Sequence, residues 1–162
     1  DWSKSKAYAV GLAGIYLNRA GRERNGVVTV EEAPQVTEEI IAKLTKLADP
    51  ATGKPVVRRV YRKEEIYDGP YADDAADLVV GLEEGYRFSW QTALGATPTT
   101  VFEPNNKRWS GDHCVDPPYV SGVFLSNRKI NTKEPRIIDI AATILKIFEI
   151  EAPASIDGRS LL

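Results

Sequence analysis

The chain has 162 residues, of which 43% are hydrophobic and 27% charged, so it suits one folded domain or a large part of one and is not extensively disordered. A net charge of -2, with both signs interspersed, argues against a nucleic-acid binder that depends on phosphate attraction. No apolar run approaches the roughly 20 residues that a transmembrane helix needs, and a single cysteine cannot form an internal disulfide.

In the first half of the chain, the segments "AYAVG" and "GIYLN" predict two short strands. An amphipathic helix that packs on a sheet is predicted by apolar residues at spacings of 4, 4 and 3: Val36, Ile40, Leu44 and Leu47. The run from Val56 to Tyr67 predicts a strand that ends in a charged turn.

In the second half, "DLVVGL" and "GVFLSN" predict strands, and "YRFSW" predicts a further one. The stretch from Gln91 to Pro118 is rich in Thr, Pro, Asn and Gly and predicts a long loop, where functional sites often lie. Asp139 is predicted to cap a helix that packs on the sheet through Ile140, Ile144, Ile147 and Phe148. Because strands and helices are mixed, the predicted class is α/β.

Two charged groups are interpreted as structural rather than functional. A solvated strand face, rather than a phosphate site, is indicated by the basic run Arg58, Arg59, Arg62 and Lys63. Turns and caps, rather than a cation site, are indicated by the acidic cluster Asp73, Asp74 and Asp77. This cluster lacks the alternating spacing and the glycine of a calcium-binding loop.

The stretch "RWSGDHCVDPPYVSG" contains the only histidine, His113, and the only cysteine, Cys114. A single thiol makes no metal motif, so Cys114 is interpreted as a small loop or core residue. His113 is a candidate metal ligand, because Gly111 would let the backbone approach closely, Trp109 could shield a site and Asp112 could orient the ring. An isolated histidine is also common as a surface or core residue, so these residues alone leave both interpretations open.

Five segments, in order along the chain, resemble those of one family: "DWSKSKAYAVGLAGIYLNRAGRERNGVV", "DPATGKPVVRRVYRKEEIYDGPY", "DLVVGLEEGYRFSW", "WSGDH" and "IIDIAATILKIFEIEAPASIDGRSLL". The family is the alkaline phosphatase superfamily, on the branch of type I phosphodiesterases and nucleotide pyrophosphatases, and the match is to its C-terminal part. Ala142 replaces the usual Pro and Glu149 the usual Gly of the closing segment, so both departures affect helix ends rather than chemistry.

The resemblance implies that residues 1–162 are a single C-terminal segment of a larger hydrolase with a three-layer fold, in which helices flank a mixed sheet. It implies hydrolysis of phosphoesters at two divalent metal ions, commonly zinc, with a Thr or Ser nucleophile and three histidine ligands. In this family "WSGDH" carries the last metal-binding histidine, which makes His113 the ligand and Asp112 at most its support. The superfamily also has an Asp-His pair in which both residues bind metal, but that pair follows an apolar strand, unlike "NNKRWSG" here.

With one histidine, the chain cannot complete this site, and no catalytic residue is assigned within it. We therefore expect an upstream catalytic half of the same protein, and the absence of methionine fits that expectation. The implied partners are this upstream half, a phosphoester substrate, and a second copy in a dimer formed through an exposed docking surface. No tightly bound metal is expected in the chain by itself. The alternative is a non-catalytic structural or binding module on the same scaffold.

Overall fold

The computed structural model describes residues 1–96, 98–112 and 114–162. They form two compact units, Asp1–Val120 and Ser121–Leu162. Helices and strands are combined, which agrees with the general α/β class. Within these described ranges, no helix is both long and apolar enough to cross a membrane.

The first unit is built on a four-stranded sheet of β1 (Ala7–Val10), β2 (Gly14–Leu17), β3 (Val57–Arg62) and β4 (Leu78–Leu82). The strand order is β1-β2-β4-β3, and every neighbouring pair is antiparallel. The predicted mixed sheet is therefore not found in the described part of the chain. The reason is that β4 lies between β2 and β3, so these two strands run in the same direction but do not hydrogen-bond to each other.

The predicted first helix is confirmed as α1 (Ala33–Leu44), with a proline in its first turn. Ile40, Leu44 and the following Leu47 pack against a buried cluster on β3 and β4 that comprises Val57, Val60, Leu78 and Val80. Val36 packs in an adjoining cluster with Leu17 and Val28. The predicted apolar face of α1 is therefore the one that covers the sheet.

The charged end of β3 is a single helical turn, α2 (Lys63–Ile66), which agrees with the predicted charged turn. The strand predicted for "YRFSW" is wrong, because residues 86–89 are irregular and a short helix, α3 (Trp90–Ala93), follows. Ser89 caps this helix, since its Oγ accepts a hydrogen bond from the Gln91 N–H at 3.3 Å. A local cap therefore outweighs the strand propensity of the aromatic residues.

The second unit contains α4 (Asp139–Ile147), which starts near the predicted place, but the predicted cap is wrong, because Asp139 is the first helical residue and the cap position is Ile138, with no side-chain cap hydrogen bond. Its predicted packing face is wrong, because Ile144 is 48% and Phe148 70% exposed, while Asp139, Ala142 and Thr143 are buried. The strand predicted for "GVFLSN" is also wrong, and its Leu125 is 88% exposed. An apolar run forms a strand only where a neighbouring strand satisfies its backbone groups, and none among the described residues does so here.

The C-terminal end of α4 holds a non-glycine residue, Glu149, in a left-handed backbone conformation. The N–H groups of Glu149 and Ile150 donate to the carbonyl oxygens of Lys146 at 3.2 Å and Leu145 at 2.9 Å. This closure requires the left-handed backbone conformation at Glu149, where φ is 57°. A non-glycine residue costs roughly 1 kcal/mol in this conformation, which is why glycine is the commonest residue just after helix ends.

We expect the second unit to lose stability at acid pH through Asp139. The N–H groups of Arg136 and Arg159 donate to its two carboxylate oxygens at 2.9 and 3.0 Å, and these bonds lower the pKa of Asp139. A lowered pKa contributes stability above roughly pH 4, the ordinary value for aspartate, and that contribution is lost as the pH falls through the folded-state pKa. Thermal unfolding followed by circular dichroism should show that Asp139→Asn loses less stability on acidification than the wild type does. An equal loss of stability in both proteins would contradict this prediction. The matched control is Asp157→Asn, which makes the same change at an exposed aspartate.

Candidate functional site

The candidate site is the loop of residues 108–120, which includes His113. Position 113 lies outside the residues that the structure describes, as does position 97. The residues on either side of position 113 are described, and they show how the loop is attached to the rest of the first unit.

On the N-terminal side, the loop is attached by Arg87, which follows β4 in the chain. Its Nη1 lies 3.3 Å from the carbonyl oxygen of Gly111 and 3.5 Å from that of Ser110. Its Nη2 lies 3.4 Å from Oδ2 of Asp112, and its guanidinium stacks 4.7 Å above the ring centre of Trp90. The side chain of Arg87 is only 11% exposed, so one largely buried cation contacts three consecutive loop residues.

Next to position 113, the Oδ1 atom of Asp112 accepts a hydrogen bond from the Cys114 N–H at 2.9 Å. The Asp112 side chain is 6% exposed, so this contact is shielded from water. Burial, followed by the negative charge of Asp112, raises the pKa of the Cys114 thiol. Cys114 therefore stays protonated at neutral pH and is not an activated nucleophile, in agreement with its interpretation as a small loop residue.

On the C-terminal side, the loop is attached by Asp116, whose side chain is fully buried. Its Oδ2 accepts a hydrogen bond from Nη1 of Arg58 and its Oδ1 accepts one from the hydroxyl of Tyr61, each at 2.7 Å. Burial and this carboxylate raise the pKa of Tyr61. The carboxylate lies so close to β4 that a Cβ at Gly81 would be 2.6 Å from its Cγ. Position 81 therefore has to be glycine for Asp116 to occupy this place.

The structure describes the surroundings of Gly111 and Trp109 within this chain. A Cβ at Gly111 would meet no described atom within 4 Å, so no described part of this chain requires the glycine, and a close approach to a bound group stays a prediction. Trp109 is 85% exposed in this chain, and its proposed shielding of a metal site stays a prediction. Arg87, whose side chain is 11% exposed, lies against the loop, and Trp90, which is 46% exposed, stacks on Arg87.

In the basic run, the predicted solvated face is found for Arg58 and Arg59, which are exposed, but not for Lys63, which is buried. Each of its cations pairs with a carboxylate: Arg58 with Asp116, Arg59 with Glu65, Arg62 with Glu38, and Lys63 with Asp73. None of the four cations therefore forms a free phosphate-binding group in the described part of the protein. Arg58 has a further role, because its partner Asp116 belongs to the candidate loop.

The acidic cluster divides into two parts. Asp73 and Asp74 lie in a short 3-10 turn, which agrees with their interpretation. Asp77 does not serve a turn or cap, since it is 9% exposed and accepts hydrogen bonds from the Leu17 N–H and from Nη2 of Arg22, each at 2.7 Å. It joins β4 to β2 and to the turn that follows β2, so its role is structural.

The donor groups of the loop fit part of a metal site. An imidazole beside a carboxylate belongs to the ligand chemistry of zinc, which takes four ligands. Among the residues that the structure describes, no group of three or more His, Cys, Asp or Glu residues is placed to bind a metal. From this chain, His113 would be the ligand, and Asp112 would orient the segment that contains it.

Sequence reasoning did not identify Arg87 and Asp116 as site residues. Arg87 is part of an aromatic run that resembles a strand, and Asp116 precedes two prolines in a loop. No local pattern distinguishes either residue from a surface charge, because each acts through partners that are distant in the chain.

Comparison of the chain with protein-family models, with curated proteins and with solved structures found no match.

Proposed function

We propose that this chain is the C-terminal part of a metal-dependent phosphoric ester hydrolase of the phosphodiesterase and nucleotide pyrophosphatase type. Its role is to supply the last metal-binding histidine, His113, to a site completed by an upstream catalytic half. One observation supports this most strongly: the loop with the only histidine is attached on both sides through buried charges, Arg87 and Asp116. Attachment of the described residues on both sides of position 113 supports this role, because a metal ligand needs a restrained loop.

In the proposed enzyme, the His113 imidazole binds one of two divalent ions, with zinc the expected metal. When bound, such ions lower the pKa of the nucleophile and stabilise charge on the phosphoryl oxygens. The chain itself contributes the ligand and the contacts that position it, through Asp112 and Arg87. The Thr or Ser nucleophile and the remaining ligands belong to the upstream half, and the complete protein has the three-layer fold of the superfamily.

Exposed apolar side chains of the second unit also support this proposal. Leu125 is 88%, Ile137 86% and Phe148 70% exposed. Large exposed apolar surface commonly marks an interaction site. We propose that the upstream half of the same protein covers these residues, rather than a second copy in a dimer.

The proposal predicts different behaviour for the chain and for the full-length protein. The full-length protein, reconstituted with zinc, should hydrolyse a nitrophenyl phosphodiester, and a chelator should abolish the activity. The 162-residue chain by itself should show neither activity nor stoichiometric zinc, because one imidazole leaves zinc under-coordinated. Chelator-sensitive hydrolysis by the chain alone would contradict this assignment. A full-length protein that lacks the nucleophile and the other ligands would support the non-catalytic module instead.

A further inference from the structure

We propose that Arg87 is the positioning residue for His113: it sets the path of the main chain that enters position 113. This inference rests on the proposed function for what His113 binds, but the contacts of Arg87 are independent of it. Arg87 lies 3.3 Å and 3.5 Å from two loop carbonyl oxygens and 3.4 Å from the Asp112 carboxylate. These contacts end at the residue immediately before His113.

The chemistry of the contacts favours positioning of the loop over recognition of a ligand. Two of the three contacts go to main-chain carbonyl oxygens, which fix the direction of the backbone whatever side chains the loop carries. A guanidinium group is planar and has five N–H donors in fixed directions, so one arginine can reach two carbonyl oxygens and a carboxylate together. Lysine has a single flexible ammonium group and cannot reproduce this arrangement.

The surroundings of Arg87 keep the guanidinium in place. Trp90 stacks on it at 4.7 Å, and the arginine side chain is only 11% exposed. Trp90 is the first residue of α3, whose cap, Ser89, also donates a hydrogen bond to Oε1 of Glu103 at 2.8 Å. The cation that contacts the loop is therefore itself supported by a capped helix.

Arg87 and Asp116 hold residues on opposite sides of position 113, and of these two it is Arg87 that contacts the Asp112 carboxylate. Asp112 also accepts the Cys114 N–H, so the Arg87–Asp112 pair contributes to the conformation of both residues that flank the histidine. Loss of Arg87 is therefore expected to disturb the ligand segment, while Asp116 still attaches the loop to β3 and β4.

The test compares Arg87→Met, Arg87→Lys and the control Arg24→Met in the full-length protein, since Arg24 is an exposed arginine of the same unit. Arg87→Met should weaken zinc binding and lower kcat by about tenfold to a hundredfold, the usual range for groups that orient a metal ligand. KM should change by less than about twofold, because Arg87 does not contact substrate. Arg87→Lys should give intermediate decreases in zinc binding and kcat, and Arg24→Met should change neither.

Hydrogen exchange provides a readout that does not depend on activity. In Arg87→Met, exchange should become faster in peptides covering residues 108–116 and stay unchanged in peptides covering β4. If Arg87→Met fails to fold, Arg87→Lys decides the question, since it keeps the charge and should still show faster loop exchange. Unchanged loop exchange with unchanged zinc affinity would overturn the inference. A wild-type protein that neither binds zinc nor hydrolyses the ester would overturn the proposed function, and the exchange data would still decide whether Arg87 positions the loop.

Discussion

His113→Ala in the full-length protein is expected to lower kcat for a phosphodiester by about a hundredfold or more, the cost of losing one preorganised electrostatic contact. The proposed site would lose one of three histidine ligands, so the zinc content should fall as well. Steady-state kinetics with metal analysis on the purified variant would measure both effects. The free energy of unfolding should change little, because removing one loop histidine leaves the buried clusters of the sheet intact.

Asp112→Ala provides the comparison for this prediction. The aspartate accepts a hydrogen bond from the Cys114 N–H and pairs with Arg87. Its removal should lower kcat by about tenfold to a hundredfold, because the ligand segment would lose its orientation. Full activity and full zinc content in His113→Ala would show that the motif is wrongly assigned. A larger loss for Asp112→Ala than for His113→Ala would show that the aspartate, rather than the histidine, is the main ligand.

Leu78→Ala is expected to destabilise the 162-residue chain by about 2–5 kcal/mol, the range for deleting a buried leucine side chain. Leu78 is 0% exposed and lies on β4, the strand that pairs with both β2 and β3. Its side chain packs with Val57, Val60 and Val80 beneath α1, so alanine would leave a cavity at the centre of the sheet. Denaturant unfolding followed by circular dichroism would measure the change.

Leu94→Ala makes the same chemical change at a site that is 87% exposed in the same unit. It should alter the free energy of unfolding by no more than about 0.5 kcal/mol, as surface substitutions usually do. Equal losses in the two variants would contradict the position of Leu78 in the core.

Local periodicity was sufficient to predict the elements whose partners follow from the pattern itself. The spacing of Val36, Ile40 and Leu44 predicted α1 and its packing face, and the apolar run at Leu78–Leu82 predicted β4. Both predictions are confirmed, and the two elements meet in one core, because Ile40 and Leu44 pack against the cluster that contains Leu78 and Val80. The sequence also predicted the long loop after Gln91, which contains little regular structure after α3.

Periodicity does not reveal which surface will cover an apolar side. The pattern from Ile140 to Phe148 predicted α4 but not its burial, because the second unit buries Asp139 and Thr143 instead. The same limit explains "GVFLSN", which has the composition of a strand but no strand beside it among the described residues. A helix can form through its own hydrogen bonds, whereas a strand depends on a partner elsewhere.

The roles of the charged residues were decided only by the tertiary structure. Asp77 meets the Leu17 N–H across 60 residues of sequence, and Asp116 meets Arg58 across 58. In the sequence, both look like ordinary loop carboxylates. Whether a carboxylate stays solvated or becomes a buried attachment depends on whether packing removes its water and brings a cation to it. The sequence by itself therefore predicted a long loop around the single histidine, whose proposed role as a metal ligand stays a prediction, while the fold determined which residues attach that loop on either side.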